Sequence, residues 1–325
     1  MDTTFATNDP LTVKLWAKEL HSELPKDIFW AQYRDRKGLM PIHEREDLMK
    51  AKGDNITIGL RMQLSGSGVS GDGTLEGSEE ALSFFNTSVT IDQRRHATKL
   101  NGQMTERRIA FDLRSEAKSA LREWIARFID DDFFTKLDTS PSKTIYAGAA
   151  SSTATLGATD YFTLALISKV KAYARTASPL LRPMKVGSEE YWLIVIHPHQ
   201  GYDLKINDPN YASAQRDAQD RGSDNPLFTG ALGKWDNTVI KEHQSIATAT
   251  TWGPGSVVAG ASAIFVGAQA AAICWGSLPF WAEKSFDYAN QVGFATGAIW
   301  GVKKLAFNSK DFGSVSCKTA RTNIS

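Results

Sequence analysis

Between residues 54 and 64 the chain alternates apolar and polar positions. Ile56, Ile58, Leu60, Met62 and Leu64 take every second place in ITIGLRMQL, the period of a strand with one buried face. FFNTSVTIDQRRH supplies a return strand, with Val89 and Ile91 alternating against Thr90 and Asp92 before the basic cluster Arg94, Arg95 and His96. The two runs predict a long ribbon joined by a glycine-rich, acidic tip. A two-stranded ribbon is marginal alone in water, and the sequence offers it no obvious partner within the chain.

At Asp112 the period changes to about 3.6. Leu113, Ala117, Ala120, Leu121, Trp124, Ile125 and Phe128 form one stripe of a long helix, Asp112 is placed to cap it, and Glu123 can pair with Arg127. Asp130, Asp131 and Asp132 fall toward its end, where they oppose the helix dipole and read as a solvated turn or an interface contact. Residues 138–160 read as a loop by composition. A second helix is predicted over 160–176 through Ile167, Val170 and Tyr173, with Pro179 just beyond its end.

Residues 11–24 carry an earlier helical stripe, Leu11, Leu15, Trp16, Leu20 and Leu24, stopped by Pro25, with a mostly irregular arm to about residue 55. Such an arm, poor in contacts of its own, is expected to lie on a neighbouring molecule or to be disordered. EYWLIVIHP reads as a strand buried on both faces. A helix opening on Asp208 and Pro209 is predicted to close at Gly222. The uncharged stretch 257–275 reads as a strand followed by a buried helix, too rich in alanine and glycine for a membrane span. QVGFATGAIWGVKKLAF is a strand with Phe294, Thr296, Ala298, Trp300 and Val302 on one parity and Gly293, Gly297 and Gly301 on the other, which predicts close packing at the glycines. The fold class is therefore α+β.

Composition narrows function by exclusion. Over 325 residues, 37 basic side chains meet 36 acidic ones, so no global field holds nucleic acid or an anionic membrane. Cys274 and Cys317 are the only cysteines, too few for a disulfide framework or a four-thiolate zinc site, and a reducing compartment is the default. MDTTFATNDP has no basic region followed by an apolar run, so no signal peptide is expected.

Two motifs invite a chemical reading. Gly66, Gly68 and Gly71 have dinucleotide-loop spacing, but no helix can start cheaply after them, and Glu76, Glu79 and Glu80 would repel phosphate. A flexible tip fits better. His197 and His199 at a strand end could share a metal, with His243, Asp203 and Asp208 as the available recruits, giving a metal-dependent hydrolase. The strands and helices do not alternate as a metal-hydrolase barrel requires, so a strand-end pair bonding a loop is the favoured reading.

The blocks ITIGLRMQLSGSGVSGDGTLEGSEEAL, SVTIDQRRHA, DLRSEAK, YWLIVIHPHQGYDL, NPLFTGALGKWDNTVIKEH and GVKKLAF run in order from about residue 54 to 315. In this wording the chain resembles the phage major capsid proteins of the N4-like, gene product 56 type; the first 50 residues match least. The resemblance implies a Hong Kong 97-type fold with an N-terminal arm (1–53), an extended β-hairpin loop (54–100), a peripheral domain (101–150 and 276–325) with a spine helix bearing Leu113, Leu121, Trp124 and Phe128, and an axial domain (151–275). It implies a terminal strand through Trp300 returning to the peripheral sheet. The inter-subunit contacts it implies are Leu64, Gly66, Gly68, Gly71, Asp72, Gly73, Glu76, Gly77, Glu79, Glu80, Arg94 and Arg95. It implies no enzymatic activity and no cofactor. Hexamers and pentamers would close an icosahedral shell around double-stranded DNA held without base reading, assembled in the host cytoplasm with a portal and with scaffolding or cement proteins. An encapsulin-like compartment is the same-fold alternative.

Overall fold

The computed structural model describes residues 29–49, 53–108, 112–211, 213 and 232–324. The helix expected over residues 11–24 and most of the one expected from Asp208 to Gly222 lie outside them. The described residues divide into two units, those within 29–94, 127–278 and 298–324 in the larger, and those within 95–126 and 279–297 in the smaller.

In the larger unit the apolar run Glu189–Ile196 is a central strand of an eight-stranded sheet. Trp192 to Ile196 are at most 2% exposed, as a strand covered on both faces requires. It runs antiparallel to Val258–Val266 and parallel to Thr238–Glu242. The helix Leu164–Thr176 is capped by the Thr163 side chain and lays Leu164, Ile167, Val170 and Ala174 into the same cluster as Trp192, Ile194 and Phe265. Each such large side chain contributes on the order of 1.5–3 kcal/mol by leaving water.

Several expectations are corrected here. Residues 138–160 hold a strand, Thr144–Tyr146, paired parallel to Ser314–Ala320; three residues are too few for composition to reveal. The stretch 257–275 is strand, turn and strand, with no helix: Val258–Val266 turns at Gln269, whose φ is 57°, into Ala271–Phe286. Alanine's helix preference is overridden because Ala271 to Cys274 pair in register with Ile42 to Arg45. The strand through Trp300, Gln291–Lys304, is not the last one: Ser314–Ala320 follows and joins the eight-stranded sheet beside Val258–Val266. Among the described residues no helix is long and apolar enough to cross a membrane.

The arm is also corrected from residue 29 onward. Phe29 and Trp30 are buried, and Trp30 lies against Tyr33, Phe133 and Phe134. Its backbone N–H donates to Asp130 Oδ1 at 2.7 Å. Asp130 therefore sits inside the helix Leu113–Asp138, buried, eight residues before its end. Burial pushes its carboxyl above the usual range, opposed by the Trp30 and Phe29 amides and then by His243 and Arg34. Asp131 accepts from Ser245 Oγ at 2.6 Å. A solvated helix end was the wrong frame for these acids, because sequence does not show which helix face the arm covers.

The glycines of Gln291–Lys304 carry the predicted close approach at Gly301, where a Cβ would stand 2.1 Å from the Thr90 carbonyl oxygen. Backbone, unlike a side-chain tip, cannot swing aside. Gly301→Ala is expected to cost about 1–3 kcal/mol or more, read as a lower urea midpoint at unchanged slope. A loss under about 0.5 kcal/mol, the level of an indifferent surface change, would mean that the strand shifts freely.

In the smaller unit the helix is capped as predicted, with Asp112 Oδ1 accepting from the Arg114 N–H at 3.1 Å. Leu121 is buried there; Leu113 and Trp124 are half-buried, with Trp124 4.7 Å from the ring of His96. Trp281 stacks on Phe294 at 5.6 Å, with the Lys118 ammonium over its ring.

Candidate functional site

The two ribbon strands form as the alternation predicts, Asn55–Arg61 antiparallel to Phe84–Thr90, in a register that sets Ile56 opposite Val89 and Leu60 opposite Phe85. Its root has a partner within the chain, contrary to the sequence reading. Ile56 and Val89 are buried against Ala272, Cys274, Leu305, Phe307 and Phe312, with Ile58, Leu60, Phe85 and Ile91 packed around them. The half-buried face is thus spent on the subunit's own core. Cys274 lies in this cluster, its thiol pushed up to about 11 by burial, and Cys317 is displaced upward in the same way; neither is a reactive nucleophile.

Beyond Arg61 the picture inverts. Residues 62–83 form no regular element, and Leu64, Leu75 and Leu82 are 58%, 62% and 50% exposed. Gly68, Gly71 and Gly77 have φ of 68°, 64° and 86°, left-handed values that glycine adopts without strain. The loop amides do bind an anion, and it is the chain's own: Glu80 accepts from the Ser65 N–H at 2.8 Å and the Gly66 N–H at 2.6 Å. These amide bonds hold the Glu80 carboxyl below its ordinary range. Glu79 likewise accepts from Gly77 at 2.8 Å. The chain's own glutamates thus hold the Ser65, Gly66 and Gly77 amides, which argues against a phosphate cradle there.

Asp72, Gly73 and Glu76 stand exposed in the same tip. Arg94 and Arg95 do not join it. At Ile91 the chain leaves the ribbon, and both arginines lie on Asp92–Lys99, an edge strand of the five-stranded sheet, with the Arg94 guanidinium 5.0 Å over the ring of Phe128. Phe128 is half-buried and also meets Trp300 edge to face at 6.0 Å. Between the tip's base and residues 177–183 runs an open groove of about 790 Å³, walled by Leu60, Met62, Leu64 and Leu180.

The histidine pair performs a structural task. His197 caps the helix Pro198–Asn207, its Nδ1 accepting from the His199 N–H at 3.2 Å, while the Gln200 side chain returns a bond to the His197 amide. Burial, then His199 and Arg321, push the His197 ring down to about 4, so it is neutral at pH 7 and keeps the acceptor lone pair that the cap needs. His199 Nδ1 faces Arg321 instead of a shared metal position. The recruits are dispersed: Asp203 accepts from the Thr322 N–H at 2.9 Å, Asp208 from the Leu164 N–H at 2.7 Å, and His243 stacks on Phe134. Among the described residues no three His, Cys, Asp or Glu side chains group to hold a metal. Sequence reasoning missed one feature beside the ribbon root, a recess lined by Lys136, Lys303 and Lys304; its only trace in the sequence is the KK pair after the glycine-faced strand.

Known proteins agree with this arrangement. A family model described as phage capsid protein matches residues 4–147 and 141–322. The major capsid protein of Pseudomonas phage KPP25 is 30% identical, over 98% of this chain and 97% of that one. The capsid of Ralstonia phage GP4 superposes over the whole of both chains with a TM-score of 0.84 at 29% identity. The capsid asymmetric unit of cyanophage Pam1 shares the fold, covering 99% of this chain and 100% of that one, with a TM-score of 0.87 at 22% identity. A chain with no assembled catalytic centre among its described residues, a ribbon rooted in its own core and an uncovered tip thus belongs to the phage capsid protein family, whose members are structural subunits of the capsid shell and not enzymes.

Proposed function

We propose that this subunit builds an icosahedral shell from hexamers and pentamers in the Hong Kong 97-type manner, within the N4-like, gene product 56 type group. The ribbon is the extended loop that crosses to the adjacent subunit, and the helix Leu113–Asp138 is the spine. Residues 151–275 form the axial domain together with Ser314–Ala320, which pairs with Val258–Val266. Residues 101–150 and those from 276 to the turn before Ser314 form the peripheral domain, and residues 1–53 the arm.

The observation that carries this reading is the contrast along the ribbon. Its root is fixed by burial, while its tip displays leucines and carboxylates that the described residues of its own chain do not cover. A rigid stalk holding a conformable tip suits contacts repeated at slightly different angles. Permanent interfaces bury about 2,000 Å² or more, which offsets the entropy of ordering such segments. Near-zero net charge keeps many copies from repelling one another. The shell encloses double-stranded DNA without base recognition, in a virion assembled in the host cytoplasm with a portal and with scaffolding or cement proteins.

Electron microscopy of particles formed by the full chain is expected to reveal closed shells with six-fold and five-fold capsomers. Monomers or small closed rings alone, in virions and recombinant preparations alike, would overturn the proposal. Shells holding a cargo enzyme and no genome would replace it with the encapsulin-like alternative.

A further inference from the structure

The ribbon's return strand forms one wall of a recess of about 560 Å³. Ser88 and Thr90 line it on that side, Lys136, Thr139 and Ser140 at the end of the long helix on another, and Lys303, Lys304 and Ser309 on the third. Its lysines are not equivalent. Lys304 is 10% exposed and fully engaged, donating to the carbonyls of Thr139 and Ser140 at 2.9 and 3.0 Å and pairing with Asp311 at 3.0 Å. Lys303 is exposed and, among the described residues, donates to the neutral Ser88 carbonyl alone, at 2.7 Å. Lys136 is exposed, with Asp132 one turn earlier on its helix. Among the described residues neither Lys136 nor Lys303 has a carboxylate within ion-pair distance. Asp311 offsets Lys304 and Asp132 offsets Lys136 in part, which leaves net positive charge, mainly that of Lys303, among hydroxyls, an environment that selects a carboxylate-bearing ligand.

The same chain carries an unmatched set of acids. Residues 62–83 contain Asp72, Glu76, Glu79 and Glu80 and no lysine or arginine. Glu80 is consumed by the loop amides and Glu79 in part, leaving Asp72 and Glu76 outward. The tip cannot reach its own recess. Thr90 and Phe84 are six residues apart on an extended strand paired throughout with Asn55–Arg61, so the tip begins about 20 Å away and points away from the root.

We propose that the recess formed by Lys136 and Lys303 receives the carboxylates of the ribbon tip, Asp72 and Glu76 with Glu79, of a second copy of this chain. This rests on the shell-forming reading above and adds to it the receiving surface. Exposed ion pairs are individually weak, so the contact gains its effect by placing several charges in one recess and by repetition around a closed assembly.

The test is charge reversal in the full chain, scored by shell yield in sedimentation and electron microscopy. K136E/K303E is expected to lower the yield about tenfold, the factor given by a loss of 1.4 kcal/mol in the assembly equilibrium as a whole. E76K/E79K is expected to do the same. Combining all four is expected to restore more than half of the wild-type yield, a rescue that a merely misfolded subunit would not produce. Unchanged thermal unfolding of the unassembled variants is the accompanying readout. Wild-type yield from K136E/K303E, or no rescue in the combination, overturns the proposal. Normal shells that lose packaged DNA would overturn it too, by assigning the lysines to phosphate. In those cases wild-type shells still form, so the capsid reading stands; if the unaltered chain forms none, that reading fails first.

Discussion

Deleting residues 66–77 is expected to leave a folded subunit and to cut the yield of closed shells by roughly tenfold or more, since each 1.4 kcal/mol lost from an equilibrium is a factor of ten. The prediction separates two halves of one ribbon. Among the described residues the hydrogen bonds of the removed segment stay within the tip, from the Gly66 N–H to Glu80, from the Gly77 N–H to Glu79 and from the Ser78 N–H to the Leu75 carbonyl, while the bond from the Met62 N–H to the Ser83 carbonyl at 2.9 Å still closes the hairpin. The root cluster around Ile56, Val89 and Phe307 is untouched, so the unfolding midpoint of the unassembled subunit should move little. What disappears is the surface carrying Leu75, Asp72 and Glu76, which the described chain leaves in water. Sedimentation and electron microscopy decide the matter. Shells at wild-type yield would mean that the tip is ornamental and that assembly energy resides elsewhere.

Trp30→Ala is expected to have the largest effect on the subunit itself, a loss of about 3–5 kcal/mol, as for other buried tryptophans and phenylalanines. Trp30 is fully buried among Phe29, Tyr33, Phe133 and Phe134, and its amide holds the buried Asp130. Whole domains are stable by only about 5–15 kcal/mol, so the variant sits near its unfolding limit. Urea unfolding of the unassembled chain measures this, with Trp30→Phe as the milder companion that keeps most of the packing. A loss below about 1 kcal/mol would return the arm from residue 29 to the status that composition suggests, a strap stabilised only by neighbouring molecules.

The two experiments mark where local reading succeeds and where it stops. Alternation placed the ribbon strands because Ile56, Ile58 and Leu60 repeat at the period of a pleated strand. Asp112 was legible as a cap because the side chain bonds an amide two residues away. Gly301 was legible as a close approach because glycine recurs at 293, 297 and 301 on one parity of a strand whose other parity carries Phe294, Trp300 and Val302. Each depends on neighbours within a few residues.

The failures share the opposite property. Nothing near Trp30 in the sequence names Phe133, a hundred residues on, so the arm looked unsupported. Asp130 to Asp132 looked solvated for the same reason. Ala271 to Cys274 read as helix because propensity is local, whereas their pairing with Ile42 to Arg45 is not. Cys274, Leu305 and Phe312 had no signal marking them as the ribbon's bed.

For this chain, sequence alone determined the ribbon strands, the helices Leu113–Asp138 and Leu164–Thr176, the strands Glu189–Ile196 and Gln291–Lys304, the glycine-dependent turns of the tip, the absence of a global charge field and, through six ordered blocks of wording, the kinship with phage capsid proteins. Only the tertiary structure decided which apolar faces are already covered and which remain open: among the described residues the ribbon root is covered, its tip is not, and the two lysines without a carboxylate at ion-pair distance lie beside the root, out of the tip's reach. The division is physical. Periodicity and caps are set by backbone geometry over a few residues, but coverage depends on which distant segments meet, and a ribbon about 20 Å long can be rooted in its own core while its end belongs to another molecule.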